Sequence, residues 1–323
     1  MSPVQQIRGT DVLDGTITGT DITDGSIGNA ELGPDVARAQ LLVNGGFEVW
    51  SRGAGPFTTG VYAADRWSLG IGSGSTLSVT RDTGNVDTGS GAAAVATYTH
   101  STTSFLLQKL EDYGNVRGRT LSLSVRVRTS TANAVFVQIQ DNVSNVSSGM
   151  HSGNGTYQTL TATYTVAANA TVVQVAIFFQ ASCTAYVDNA ALVVGSQPAN
   201  YVPLHPVDDY TRCLRYYETY GGLTSPELLL TGQAYGTTAA FMALRFNSRK
   251  PVVPTITLGG PGSSFALSNS GGGNVACSTV SGSAATVENC RVDVSVATGL
   301  TGGNATILIA TAGSGYFVIE ANP

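Results

Sequence analysis

Two hydrophobic rhythms run along the chain, and they predict different structures. From residue 41 onward, apolar and polar positions alternate over short segments. Leu121, Leu123, Val125 and Val127 alternate with Ser122, Ser124, Arg126 and Arg128. Val135, Val137 and Ile139 alternate with Phe136, Gln138 and Gln140, and Leu160, Ala162, Tyr164 and Val166 alternate with threonines. Val173, Val175, Ile177 and Phe179 follow. A period of two buries one face of a strand and leaves the other wet, as in antiparallel sheets. Gly- and Asn-rich turns separate the segments at short intervals, so residues 41–205 are predicted to form a central jelly-roll β-sandwich.

The second rhythm is five. Ile7, Val12, Ile17, Ile22, Ile27 and Leu32 recur at that spacing without exception. A helix face repeats every 3.6 residues and a strand face every 2, so five fits neither. It fits a chain that turns regularly, and Asp14-Gly15 and Asp24-Gly25 are turn formers. Aliphatics this few cannot bury themselves within one chain, but stacked copies can hide them together. Residues 1–40 are therefore expected to be an N-terminal repeat stem that assembles the chain as a homotrimer and attaches it to other proteins. Gly33–Gln40, with Pro34 at a first helical position, reads as a short helical turn closing the stem.

Residues 206–222 predict one short connecting helix. Asp208 or Asp209 can cap it, Gly221-Gly222 can stop it, and Tyr210, Leu214 and Tyr217 fall on one face at i, i+4 and i+7. That face is expected to pack between copies. Residues 223–323 read as a small C-terminal β domain at the distal tip. Its strands are expected at 239–246, 252–258, 291–297, 305–310 and 315–320, with a flexible loop over Gly259–Gly273. The fold class expected is all-β: stem, jelly roll, helix and terminal β domain.

Composition sharpens this picture by exclusion. Charged residues make up only 11%, against about 25% in ordinary soluble proteins. Sixteen Lys+Arg against 21 Asp+Glu give a net charge of −5, which leaves no basic footprint for nucleic acid. No apolar run approaches the ~20 residues of a membrane helix. Met1–Gln6 shows neither a basic nor an apolar signal region, so no secretory signal is expected. Four Cys do not make a disulfide framework. Cys277 and Cys290 could face each other across a hairpin, with free thiols as the default, and Cys213 reads as a small buried hydrophobe. The three His, at 100, 151 and 205, are too scattered for a His-rich metal site.

Two resemblances carry function. Asn44-Gly45-Gly46-Phe47-Glu48, answered far downstream by Tyr186-Val187-Asp188-Asn189-Ala190, resembles the first and last strands of carbohydrate-binding-module jelly rolls. That family often binds a structural calcium through the matching Glu and first Asp, which implies Glu48 and Asp188 as ligands. Here Asn189 stands where the family has a second Asp. More widely, the repeat stem, Asn44–Trp50, Ala64-Asp65-Arg66-Trp67 and Cys213-Leu214-Arg215-Tyr216-Tyr217-Glu218 occur in an order that resembles bacteriophage tail fibres and other virion appendages. Phe241 to Thr257 is also similar to their terminal strands. This resemblance implies a structural virion protein on the exterior of the particle, assembled in the host cytoplasm. Its expected partners are itself, other virion proteins through the stem, and a host surface glycan.

Candidate chemistry is sparse. Glycosidases need two carboxylates set across a bond, and no pair stands out. Asp208-Asp209 reads as a helix cap and Glu111-Asp112 as solvated residues, and no Gly-x-Ser-x-Gly elbow precedes a helix. The expectation is a binding protein and not an enzyme. Aromatic rings stack on sugars but also fill β cores. Phe136, on the polar phase of its strand, is a candidate platform, as are Tyr235, Tyr316 and Phe317 in the terminal domain. Trp50 and Trp67 read as core or interface. The alternatives are a capsid-attached decoration fibre, a polysaccharide depolymerase and a cellular carbohydrate-binding protein.

Overall fold

A computed structural model describes residues 39–269 and 273–322 of the chain. The stem residues Ile7, Val12, Ile17, Ile22, Ile27 and Leu32 lie outside the described residues. The first ten strands are β1 (Ser68–Gly70), β2 (Thr76–Asp82), β3 (Ala93–Thr99), β4 (Ser104–Lys109), β5 (Thr120–Thr129), β6 (Val135–Asp141), β7 (Asn145–Ser147), β8 (Tyr157–Thr165), β9 (Val173–Phe179) and β10 (Cys183–Val194). They make two five-stranded antiparallel sheets, in the orders β2-β3-β10-β5-β8 and β1-β4-β9-β6-β7. From β3 onward the chain passes back and forth between the sheets, the path of a jelly roll.

The alternating pattern sets which side chains meet. Leu121, Leu123, Val125 and Val127 of β5 are fully buried against Val135, Val137 and Ile139 of β6 and Val175, Ile177 and Phe179 of β9. Not every polar phase is wet. Ser122 and Ser124 are buried as well, because the segment after β10 crosses over them and its carbonyls at Gly195 and Ala199 accept their hydroxyls. The β10–β5 ladder shifts register between Asp188 and Ala191, where Asn189 takes a left-handed φ of 48°. The irregularity turns the Ala190 amide to the Gly45 carbonyl at 2.8 Å, which fastens the N-terminal turn to the last strand.

The connecting helix is shorter than the pattern suggested. α1 spans Pro206–Leu214, with Pro at its first position and His205, not an aspartate, as the cap that accepts from the Val207 amide. Residues 217–221 form strand β11 (Tyr217–Gly221) instead of a further turn and a half of helix. The physical reason is tertiary. Every residue of that stretch pairs with β19 (Tyr316–Glu320), and Tyr and Thr suit a sheet. Tyr210, Leu214 and Tyr217 therefore do not share a helix face.

The C-terminal domain is a closed six-stranded barrel. Its strands are β12 (Glu227–Ala234), β13 (Ala239–Arg245), β15 (Phe265–Asn269), β16 (Asn274–Ser283), β17 (Asn289–Val296) and β18 (Ala305–Ala310), in the order β12-β13-β17-β16-β15-β18. A three-stranded sheet, β11-β19-β14 with β14 at Thr255–Leu258, packs onto it. Gly259–Gly273 is not simply a loop, because Phe265, Ala266 and Leu267 enter the barrel wall with their side chains buried. Phe317 is fully buried and its ring lies 5.7 Å from that of Phe265, so it is core and not a contact residue. Cys277 pairs with Val296 and Cys290 with Leu244, so the β16–β17 hairpin does not set the two thiols opposite each other. All four cysteines are free and buried.

Candidate functional site

The sequence motifs converge on one place, the joint between jelly roll and barrel. Asn44 is its hub, with a left-handed φ of 54°. Its amide nitrogen Nδ2 donates to the Val49 and Asp65 carbonyls, and its Oδ1 accepts from the Val49 amide. Its backbone N–H donates to Asp209 Oδ1 on α1, and its carbonyl accepts from Trp67 Nε1 at 2.9 Å. Trp67 is fully buried and stacked on Phe47, ring centroids 4.8 Å apart. Trp50 is half-buried beside Phe57. One asparagine thus ties the first motif, the second motif and the helix together.

Buried charge completes the joint. The Arg66 guanidinium sits 3.9 Å from the centroid of the Tyr216 ring and donates to the Lys109 carbonyl. Arg52 lies 3.7 Å from the Tyr217 ring centroid and reaches Glu320 at 2.8 Å. Glu111 accepts a two-pronged contact from Arg215 and the Tyr216 hydroxyl, so it is held and not free for acid–base work. Glu218 and Lys250 form a pair at 3.5 Å in which neither side chain is more than 1% exposed. Burial pushes the Glu218 carboxyl up and the Lys250 ammonium down, and each partner opposes the other's shift. Lys250 also donates to the Leu214 carbonyl at the end of α1. A cavity of about 400 Å³ lies alongside, lined in part by Arg66, Glu111, Arg212 and Tyr216.

Glu48 and Asp188 are brought to the same loop, but as hydrogen-bond acceptors. Glu48 Oε1 accepts the Gly91 and Ala92 amides. Asp188 Oδ2 accepts the Asp87 amide, and Oδ1 accepts Ser90 Oγ and the Asn189 amide. A calcium needs several oxygens turned toward one point, and here Glu48 Oε1 and both Asp188 oxygens are turned to N–H and O–H donors instead. The positive charge at this spot is Arg126, which pairs with Asp87 at 2.7 Å. Among the described residues, no three His, Cys, Asp or Glu converge to hold a metal ion. These residues do not fit calcium. Burial pushes the Asp188 carboxyl up to about 6, and its three hydrogen bonds only partly offset that. Partial burial also acts on Asp87, but hydrogen bonds from Arg126 and Asn189 outweigh it and hold that carboxyl below its ordinary value.

The face that resembles a ligand site is elsewhere, on the outside of the β1-β4-β9-β6-β7 sheet. Phe105 of β4, Phe178 of β9 and Phe136 of β6 are direct cross-strand neighbours, so three rings form one rung. Phe136 and Phe178 stack on each other at 4.9 Å and 9°, so they stand on the sheet with their edges outward. Phe105 is tilted 58° from Phe178 and leans over β1, where a Cβ on Gly70 would fall inside its ring. Phe105 is thus a floor over bare glycine backbone, Phe178 is a wall, and Phe136 supports the wall from behind. All three rings are half-buried.

The rungs beside this corner are mostly polar or small, with Leu107 the one large aliphatic. The next holds Leu107, Ala176, Gln138 and Ser147. The one after holds Lys109, Gln174, Gln140 and Asn145. Ala176 is covered by its neighbours, and Gln138 is fixed by Asn145 Oδ1 and Ser147 Oγ at 3.0 Å each. An apolar corner followed by a row of amides and one ammonium suits a neutral, hydroxyl-rich ligand: rings take its C–H face, and amides donate to and accept from its hydroxyls.

Of the residues singled out from sequence, Phe136 is in this face but as a support. Tyr235 is 58% exposed on the barrel, 5.7 Å from Phe241. Tyr316 is half-buried, its ring laid against Gly222 and Gly259. The structure does not bring Phe136, Tyr235 and Tyr316 together. Phe105 and Phe178 were missed. Phe178 stands on the outward phase of β9, which was a signal, but β4 gave none, because its buried phase (Ser104, Leu106, Gln108) is no more apolar than its outward one (Phe105, Leu107, Lys109).

No family model and no curated protein matches this chain. Several solved structures resemble the jelly-roll half. The CBM22-1 xylan-binding domain of Paenibacillus barcinonensis Xyn10C is 12% identical with a TM-score of 0.37, over 50% of this chain and 98% of that one. The family 11 carbohydrate-binding module of Clostridium thermocellum Lic26A-Cel5E is 14% identical with a TM-score of 0.31, over 44% and 96%. The enzymatically active domain of bacteriophage CBA120 tailspike protein 4 is 12% identical with a TM-score of 0.34, over 48% of this chain and 21% of that one. At scores this low, the likeness carries no argument about ligand or chemistry.

Proposed function

We propose that this chain is a glycan-binding, non-catalytic subunit of a bacteriophage virion fibre, and that the Phe105–Phe178–Phe136 face is where it holds sugar. The observation that carries the binding role is that rung of rings on an open sheet face, followed by a rung of amides. A monomeric protein gains nothing in solubility from three adjacent phenylalanines on a wet surface. The virion setting is supported by the order of the sequence motifs and by the five-residue repeat of the stem. Self-association through that repeat would set several weak sites on one rigid body, and a repetitive host surface would then bind far more tightly than any single site.

The test is a titration of the full chain against oligosaccharides of bacterial surface polysaccharide, xylan and mixed-linkage β-glucan. The wild type is compared with Phe105→Ala/Phe178→Ala. The proposal expects saturable binding that the double variant loses while remaining folded. Equal binding by both proteins would move the site elsewhere.

One observation favours a second reading, a decoration fibre with a mainly architectural role. The motifs that define the chain build a joint and not a pocket. Absence of binding across those oligosaccharides would favour it.

A further inference from the structure

Helix α1 is amphipathic in the wrong direction for a helix of a lone chain. Asp209 and Cys213 point inward and are buried. Asp209 accepts the Asn44 amide, and Cys213 packs against Val43 and Tyr216. The apolar stripe lies on the adjoining face. Val207, Tyr210 and Leu214, at i, i+3 and i+7, share it, with Val207 63% and Tyr210 49% exposed. The segment leading into the helix extends the stripe, with Val202 47% and Leu204 36% exposed. An apolar surface of this continuity marks an interaction site.

The position of the stripe says what covers it. The five-residue repeat needs other copies to hide its aliphatics, and the chain that carries it enters the described structure at residue 39. It then runs along the inward side of α1. The Gln40 carbonyl accepts from Arg212 at 3.3 Å, Val43 packs on Cys213, and Asn44 donates to Asp209. The first described residues of the chain thus lie against α1, and on the self-associating reading the bare stripe beside them is turned to the other copies. We infer that the Val202–Leu204–Val207–Tyr210–Leu214 stripe packs against the same region of two further copies, continuing the stem's assembly into the body of a trimer. This rests on the self-associating reading above, and it replaces the helical face of Tyr210, Leu214 and Tyr217 expected from sequence. Tyr217 is withdrawn into β11 under Arg52.

Light scattering after size exclusion, on the full chain across a dilution series, tests it. The wild type is compared with Val207→Asp/Tyr210→Asp and with Leu228→Asp, a control at an exposed apolar residue of the barrel. The inference expects a trimer for wild type and control. It expects at least a tenfold rise in the concentration at which the double variant dissociates. Circular dichroism should show the double variant folded, and Val207→Ser/Tyr210→Ser repeats the test without buried charge. A wild-type trimer that neither double variant weakens overturns the stripe and leaves self-association standing. A wild-type monomer at every concentration overturns both.

Discussion

The joint and the aromatic face are built from opposite materials. The joint spends the chain's scarce charge: Arg66, Glu218 and Lys250 are deeply buried there, and Arg52, Glu111, Arg215 and Glu320 ring them closer to the surface. The face has one charged residue, Lys109, and one leucine, Leu107, and is otherwise rings, amides and small side chains. At the joint, Asn44, Glu111 and Lys250 are each fixed by more than one partner. On the face, the amides of Gln140 and Gln174 make no hydrogen bond to another described side chain. The difference teaches that the conspicuous residues hold the molecule in shape, while the plain ones are left free to meet something else.

The largest expected effect lies at the joint. Lys250→Met removes one member of a pair with both side chains at most 1% exposed and leaves Glu218 as an uncompensated buried charge. The loss should be about 3–5 kcal/mol of unfolding free energy, read by urea denaturation. Adding Glu218→Gln should return much of it. A loss below about 1 kcal/mol for Lys250→Met alone would show that the pair is solvated and the joint softer than described. Sugar binding by the variant's folded fraction should be unchanged.

The face should answer in the reverse way. Phe178→Ala removes the wall and Phe105→Ala the floor. Each should weaken sugar binding by about tenfold, or ~1.4 kcal/mol, in calorimetric titration. Thermal midpoints should move little, because the rings are half-buried on an outer face and the core beneath them, with Leu106, Val137 and Ile177, stays intact. A variant that loses stability and binding together would mean that the rung is a packing feature and would erase the contrast.

Much of this contrast could be read from sequence, but unevenly. Strand alternation located β5, β6, β8 and β9 because burial follows the period directly. The helix was located but overrun, because pairing between β11 and β19 joins residues a hundred apart and leaves no local sign. β12, β15 and β16 were not separated from loops: β15 is only five residues long, β16 is rich in Ser, Gly and Ala, and the three leucines of β12 run together without alternation. The motifs were visible because a left-handed Asn44 or a buried Arg66 tolerates few substitutes. The face was half visible. Phe136 stood out against Gln138 and Gln140, but Phe178 hid in the apolar run of β9, and only register sets the three rings side by side.

An effect of about the same size as that of one ring should come from the loop that Glu48 and Asp188 hold. Burial raises the Asp188 carboxyl from its ordinary 3.8 to about 6, so the fold disfavours its charge. The sign follows: this group's contribution to stability is complete below pH ~3.8 and is lost as pH rises through ~6. Between pH 5 and pH 8 that amounts to about 1.4 kcal/mol, one unit's worth. Other buried carboxyls, Asp65, Asp209 and Glu218, are raised too, so the difference between wild type and Asp188→Asn isolates the group. The wild type should lose about that much more than the variant on going from pH 5 to pH 8 in urea melts. Parallel pH profiles would mean that the carboxyl is already satisfied as a charge. Calcium should leave the midpoint of either protein unmoved, because the oxygens it needs are turned to hydrogen-bond donors.

The smallest effect concerns geometry rather than composition. Phe105 lies flat only because Gly70 has no Cβ, and Gly70→Ala would place one inside the ring. The alanine should cost the fold almost nothing. β1 is an edge strand of three residues, and a glycine there gives up some strand preference that alanine restores in part. The ring is kept but lifted, because the new methyl meets only its far edge, which can swing clear. Sugar affinity should fall by about fivefold, between wild type and Phe105→Ala, with an unchanged thermal midpoint. If Gly70→Ala binds as well as wild type, the floor is not used, and Phe178 alone carries the contact. If it binds as poorly as Phe105→Ala, the flat pose is the whole of Phe105's contribution. The face is then a shaped site and not merely a greasy one.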